Sequence, residues 1–200
     1  MIRRLTRKDV DNFDRARLLE LGLLIFQALP EFYENVPLDR EVLLLLLTEQ
    51  VDDPGTEVGE AYAFFEGDSL LGILTVVDTA ELKNAQAAGT IPIVRELTRD
   101  QRAIFQKALS GYGRGVEDIA DPQGRYLPRL AVLEMARGKG VARAMMKHVL
   151  DLYGDAKVSL HVARANDVVT RLYTSLGFAP QSDTQLPIRV LVRSGHAGPR

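Results

Sequence analysis

The stretch Leu130-Ala-Val-Leu-Glu-Met-Ala-Arg-Gly-Lys-Gly-Val-Ala142 decides how the chain reads, because it joins an apolar run to a helix through two glycines and a concentration of positive charge. Gly138 and Gly140 carry no side chain to hold a ligand off the backbone, and the helix beginning beside them aims its unpaired N–H groups at whatever lies in front. Arg137, Lys139 and Arg143 add cationic charge to the same mouth. The segment predicts a phosphate cradle.

Two common phosphate motifs are excluded by its wording. A P-loop needs Ser or Thr after its Gly-Lys pair, whereas Gly-Lys-Gly here runs into Val141 and Ala142. A dinucleotide fingerprint needs a third glycine and an acid at the end of the next strand. Ala142-Arg143 breaks the first requirement, and residues 158–162 carry no acid.

What fits is Arg-x-x-Gly-x-Ala. Arg137-Gly-Lys-Gly-Val-Ala142, followed by Leu160-His-Val162, Asn166 and Leu172-Tyr-Thr-Ser-Leu-Gly-Phe178, resembles the GNAT-type N-acetyltransferases in both order and spacing. The resemblance covers residues 126–180 well, and the first half of the chain fits as a coarse order of helices and strands. It implies a single-domain α/β fold over residues 1–193, with a mixed, mostly antiparallel central sheet flanked by helices, and a tail at 194–200. It also implies acetyl-CoA as co-substrate and an amine acceptor.

Site residues follow from the same resemblance. In the family the strand before the loop is splayed from the next one, and its freed backbone groups pair with the pantetheine arm and the thioester carbonyl; by position this implicates Ala131, Val132 and Leu133. The backbone of Gly138, Lys139, Gly140, Val141 and Ala142 would bind the pyrophosphate, with Arg143 or Lys139 near phosphate charge, and Arg137 counts among the cofactor-binding residues. Glu134 stands where many members have proline. Asn166 matches an Asn that contacts the cofactor, and Asn166-Asp167 would serve equally as a helix cap. Tyr173 occupies the place of the general acid: with an ordinary pKa of about 10 it stays protonated at neutral pH and can hand its proton to a thiolate. An amphipathic Tyr packed on the sheet is the structural alternative.

For the base that takes the amine proton, the sequence offers His161. It lies between Leu160 and Val162 on a strand and so faces opposite to both. A hydrogen-bonded interior histidine, with water removing the proton, is the competing reading, and Glu134 is the reserve base. The chemistry implied is direct attack of a primary amine of a small molecule or peptide on acetyl-CoA in a ternary complex. A non-catalytic acyl-CoA-binding regulatory module is the alternative from another class.

Composition narrows the field. Two hundred residues, 46% hydrophobic, suffice for one sizeable core, and no linker interrupts them. Cysteine is absent, and His148, His161 and His196 stand far apart with no ligand spacing, so no metal is expected. A net charge of -2 with dispersed basic residues argues against nucleic acid. The longest apolar run, 42–47, is too short for a bilayer, and residues 1–5 do not open a signal peptide, so a soluble cytoplasmic protein is expected. A homodimer through a sheet edge is left open.

Periodicity supplies the rest. Residues 9–29 read as a helix ended by Pro30, and Asp39 caps a second helix to Gln50. Residues 61–66 and 70–77 form a hairpin around Gly67-Asp68-Ser69. Residues 79–124 read as an insertion containing a helix over 95–109 and a glycine hinge at 110–115, expected to cover the acceptor site or to form a dimer contact. A strand over 126–133, a helix from Val141 to Leu152, a strand over 157–163, a helix through Tyr173 to Gly177 and a strand over 186–192 complete the order, with 194–200 frayed.

Overall fold

The computed structural model describes residues 1–112 and 116–195. The backbone forms one eight-stranded sheet in the order β1-β2-β3-β4-β6-β8-β7, with β5 paired to β3 off that path. Its strands are β1 (Ile2–Arg4), β2 (Glu60–Glu66), β3 (Ser69–Asp78), β4 (Arg125–Tyr126), β5 (Leu130–Val132), β6 (Val158–Ala163), β7 (Ala179–Pro180) and β8 (Ile188–Arg193). All pairings between these strands are antiparallel except β4 with β6.

Alternation along the strands sends side chains to two separate cores. Ala61, Ala63, Phe65, Ile73 and Ala131 face α2 (Arg15–Gln27) and α4 (Arg40–Thr48), whose Leu21, Leu24, Ile25, Leu43 and Leu47 are buried against them. On the other face Tyr62, Leu74, Leu160 and Val162 pack on Met145, Met146 and Val149 of α7 (Val141–Leu152), with Tyr173 of α8 (Asp167–Thr174). Gly22 lets α2 meet α4 closely: a Cβ there would lie 2.2 Å from the Leu44 carbonyl oxygen.

The helix expected over 9–29 is two pieces. Thr6 and Asp9 form a capping box on α1 (Arg7–Asp11), and the Asp14 side chain accepts from Arg17 N to begin α2. α2 ends at Gln27, ahead of Pro30 as expected, and Pro30 then starts α3 (Pro30–Tyr33) at its first turn, where proline's missing N–H costs nothing. The N-terminal strand β1 and the short β7 had no sequence signal beyond their length.

Residues 79–124 contain two helices, α5 (Leu82–Glu96) and α6 (Arg99–Tyr112). The helix read over 95–109 runs across a break at Leu97, where the backbone is extended. Thr98 and Gln101 then exchange side-chain and backbone hydrogen bonds and restart the helix. Ile93, Leu97 and Phe105 belong to the principal core, and the Phe105 ring meets Phe32 edge-on at 5.9 Å. A segment whose large side chains complete the core cannot swing out whole without opening that core, so α5 and α6 are structural elements and not a free lid. Gly113 and Gly115 of the expected hinge, and His196 with the end of the tail, lie outside the described residues. Among the described residues no helix is long and apolar enough to cross a membrane.

Candidate active site

The strand expected over 126–133 is broken in the middle, and the break builds the site. Against β3 the register pairs Val77 with Tyr126 and Asp78 with Arg125, but Gly72 with Val132 and Leu74 with Leu130. One extra residue therefore lies between β4 and β5, a bulge centred on Leu127-Pro128-Arg129. Before it, Arg125 N and Leu127 N donate to the Lys157 and Ser159 carbonyls of the β6 side, at 2.8 and 3.0 Å. Proline cannot donate the next bond, and the extra residue inverts which groups point which way. After it, Thr75 N donates to Arg129 O and Leu133 N to Leu71 O, both at 2.9 Å, so the odd-numbered residues face β3.

The backbone groups of Leu130 and Val132 consequently face an opening between β5 and β6. Those of Ala131 and Leu133 do not, since β3 takes them. Position in the sequence had singled out Ala131, Val132 and Leu133; of these three, Val132 alone turns its backbone groups to the opening, and Leu130 does so beside it. Pro128 inside an apolar run was the signal that could have found the inversion. Arg137 Nε donates to the Val132 carbonyl across 3.1 Å, which confirms that this carbonyl is turned away from β3.

A 3₁₀ turn at Glu134–Ala136 leads from β5 to the cradle. Gly138 and Gly140 have φ of 75° and 81°, a region that disfavours any side chain. Gly140 is the N-cap of α7 and supplies no capping side chain, so the first N–H groups of that helix keep no intrahelical partner. An added Cβ at either glycine would meet nothing within 4 Å. Arg137, Lys139 and Arg143 are exposed around this open space. A mouth of free N–H groups and cations with empty space in front suits a pyrophosphate by charge and by hydrogen-bonding capacity.

Tyr173 is buried against Phe178, with ring centroids 5.8 Å apart, and burial pushes its hydroxyl pKa well up, holding the proton on. Among the described residues its hydroxyl has no hydrogen-bond partner. It shares the core with Leu160, Val162, Val141 and Met145, on the α7 and α8 face of the sheet. Asn166 caps α8, its Oδ1 accepting from Val169 N at 3.2 Å, and remains exposed.

His161 faces the opposite side, as its apolar neighbours required. Its Nε2 lies 2.6 Å from the Glu117 carbonyl oxygen and its Nδ1 2.8 Å from Tyr126 Oη. A carbonyl can only accept, so Nε2 carries the hydrogen; Nδ1 then accepts from the Tyr126 hydroxyl. Burial is the largest influence on this imidazole and lowers its pKa, against Glu117, which raises it. The Glu117 carboxylate is itself buried, accepts from Ser182 Oγ, Gln181 Nε2 and Val190 N, and is held below the usual carboxylate range by those bonds despite the opposing effect of burial.

The bulge also delivers Arg129 to this second face. Its guanidinium donates to Glu57 Oε2 at 2.8 Å and to Tyr33 Oη at 3.3 Å, in a pair whose side chains are only 6% and 10% exposed. Gln86 of α5 donates to the other Glu57 oxygen. Glu57 keeps Arg129 charged, outweighed by nothing that burial imposes. No sequence spacing linked residues 33, 57, 86 and 129.

An open mixed sheet, forked beside a helix N-terminus and covered by helices on both faces, defines an acetyltransferase-type architecture. The sequence model described as "Acetyltransferase (GNAT) family" matches residues 91–178, which span the bulge, the cradle and Tyr173. An N-acetyltransferase from Staphylococcus aureus Mu50 has the same fold, with 15% identity, 96% of this chain and 99% of that one covered, and a TM-score of 0.69. A histone acetyltransferase HPA2 and related acetyltransferase from Corynebacterium glutamicum covers 100% of this chain and 97% of its own at 17% identity, TM-score 0.61. A PaiA N-acetyltransferase from Thermoplasma acidophilum, solved in complex with coenzyme A, aligns over 97% of this chain and 98% of its own, at 14% identity and a TM-score of 0.50. No curated protein matches the sequence. Residues 91–178 are thus similar to the acetyltransferase (GNAT) family, and the chain as a whole shares the fold of solved acetyltransferases.

Proposed function

We propose that the chain transfers the acetyl group of acetyl-CoA to a primary amine of a small molecule or peptide, by direct attack with both substrates bound. The observation that carries this reading is the fork: Leu130 and Val132 turn backbone groups that β3 does not take into an opening that ends at the N-terminus of α7, where no side chain caps the helix. The N–H groups of residues 138–142 bind the pyrophosphate, with Lys139 and Arg143 beside its charge. The backbone of Val132 and Leu130 lines the pantetheine arm, and an N–H there polarises the thioester carbonyl, the place where negative charge develops. Arg137 yields the Val132 carbonyl to the arm.

Tyr173 is the general acid. Its raised pKa keeps the proton available until a thiolate, the stronger base in that site, claims it. No step requires a covalent bond to the protein. Asn166 closes the cofactor side from the cap of α8. The test is a panel of primary amines offered with acetyl-CoA, read by released thiol. With no cysteine in the chain, every thiol detected comes from coenzyme A. Release with at least one amine is the expected result; tight acetyl-CoA binding with no release from any of them would establish the regulatory-module reading instead.

A further inference from the structure

We propose that Tyr126 and His161 form a two-residue proton relay in which Tyr126 takes the proton of the attacking amine while passing its own to His161 Nδ1. The inference rests on the acetyl-transfer reading and supplies the base that reading leaves unnamed. Four observations support it. Tyr126 is the last residue of β4 and His161 lies two residues past Ser159, the last β6 residue bonded to β4, so the pair flanks the point where the fork opens. The Tyr126 hydroxyl is 2.8 Å from Nδ1, a distance for direct transfer. The Glu117 carbonyl, 2.6 Å from Nε2, fixes the tautomer in which Nδ1 is the basic nitrogen. Finally, the pair lies on the face opposite Tyr173, so proton removal and proton donation occur on different sides of the fork.

The step balances. As the amine nitrogen bonds to the acetyl carbon, its N–H bond breaks and a new O–H bond forms on Tyr126. The original phenolic proton moves to Nδ1, and the resulting imidazolium keeps its other hydrogen on the Glu117 carbonyl. Tyr173 protonates the departing thiolate. Solvent then removes the proton from His161 and restores the one on Tyr173. The carboxylates within electrostatic reach of the ring, Glu117, Asp118 and Glu57, favour the imidazolium, while burial opposes it. His161 thus touches no substrate: it acts through Tyr126 and is a positioning and relay residue. A direct role for its Nδ1 on the amine is closed by the tyrosine hydroxyl already bonded there.

The experiment uses acetyl-CoA with glycinamide as the probe amine, on the wild-type chain, Tyr126→Phe, His161→Gln, the double variant and Tyr173→Phe. Each single relay variant is expected to lower kcat/KM about ten- to a hundred-fold, and the double variant no further than the worse single one, because the two act as a unit. The acid limb of the pH–rate profile, lying below the ordinary histidine range, should vanish in both. Nitrogen-15 resonances of His161 at pH 7 give a readout free of turnover: a neutral ring with hydrogen on Nε2, whose Nδ1 signal alone shifts in Tyr126→Phe. Rates within twofold of wild type in Tyr126→Phe, while Tyr173→Phe is impaired, would overturn the relay and leave acetyl transfer standing. A ring protonated on Nδ1 at pH 7 would overturn it whatever the rates. Acetyl-CoA binding without thiol release from any amine of the panel would remove the transfer reading and the relay together.

Discussion

At the cradle, neighbours in sequence are neighbours in space: Gly138, Gly140 and the first turn of α7 form a surface mouth held by backbone conformation alone. Across the fork, residues 33, 57 and 129 in one cluster and 117, 126, 161 and 190 in another come together from six parts of the chain, buried or half-buried and joined by hydrogen bonds that each involve a side chain. The first region tolerates changes around it because nothing packs on it, whereas every group in the second loses a partner when one is removed. Ligand affinity should therefore be the property that cradle variants change, and stability the property that variants of the buried side change.

The largest effect is expected from Glu57→Ala, which leaves the Arg129 guanidinium buried without its carboxylate. A loss of about 3–5 kcal/mol, measured by urea unfolding, follows from stranding one charge of a buried pair. Replacing both members by methionine should recover most of it. A loss under about 1 kcal/mol in the single variant would show that water reaches the pair, and the contrast between the two regions would fail.

Tyr173→Phe is expected to lower turnover roughly ten- to a thousand-fold, or about 1.4–4 kcal/mol of barrier, with little change in acetyl-CoA affinity. Since the hydroxyl bonds to no described group, thermal stability should hold or rise slightly. Parallel loss of binding and rate would make Tyr173 a packing residue. Gly140→Val is expected next: acetyl-CoA affinity weaker by about tenfold or more by titration calorimetry, together with roughly 1–2 kcal/mol of strain from a side chain at positive φ. Unchanged affinity in a folded variant would detach the cradle from the cofactor.

The smallest effect concerns pH. The folded-state pKa of His161 is depressed, so the unfolded chain binds its proton first, and the associated stability is present above the ordinary value of about 6.5 and lost as pH falls from there through the folded value. His161→Gln should flatten the stability curve in that window by no more than about 1.4 kcal/mol per pH unit. The contribution of Glu117, also depressed, is lost at lower pH, in the carboxylate range, and should persist in that variant.

The hairpin of β2 and β3, the glycine turn at 138–140, α7, β6 and α8 were readable because each rests on a period or a turn that a short window contains. His161 was correctly turned away from Leu160 and Val162 by strand alternation alone. What the window lacked was the partner. The sequence could rank Ala131 and Leu133 beside Val132, but only pairing with β3 reveals that a bulge at Pro128 passes the opening to Leu130 and Val132. It could offer His161 as a base, but the Tyr126 hydroxyl and the Glu117 carbonyl that occupy its two nitrogens are 35 and 44 residues away. Likewise it marked an insertion and missed that Ile93, Leu97 and Phe105 complete the main core. Backbone conformation is a local property, set within a few residues by sterics and hydrogen bonding. Register, burial and the choice of hydrogen-bond partner depend on which distant segments the collapsed chain brings together, and tertiary packing alone decided them.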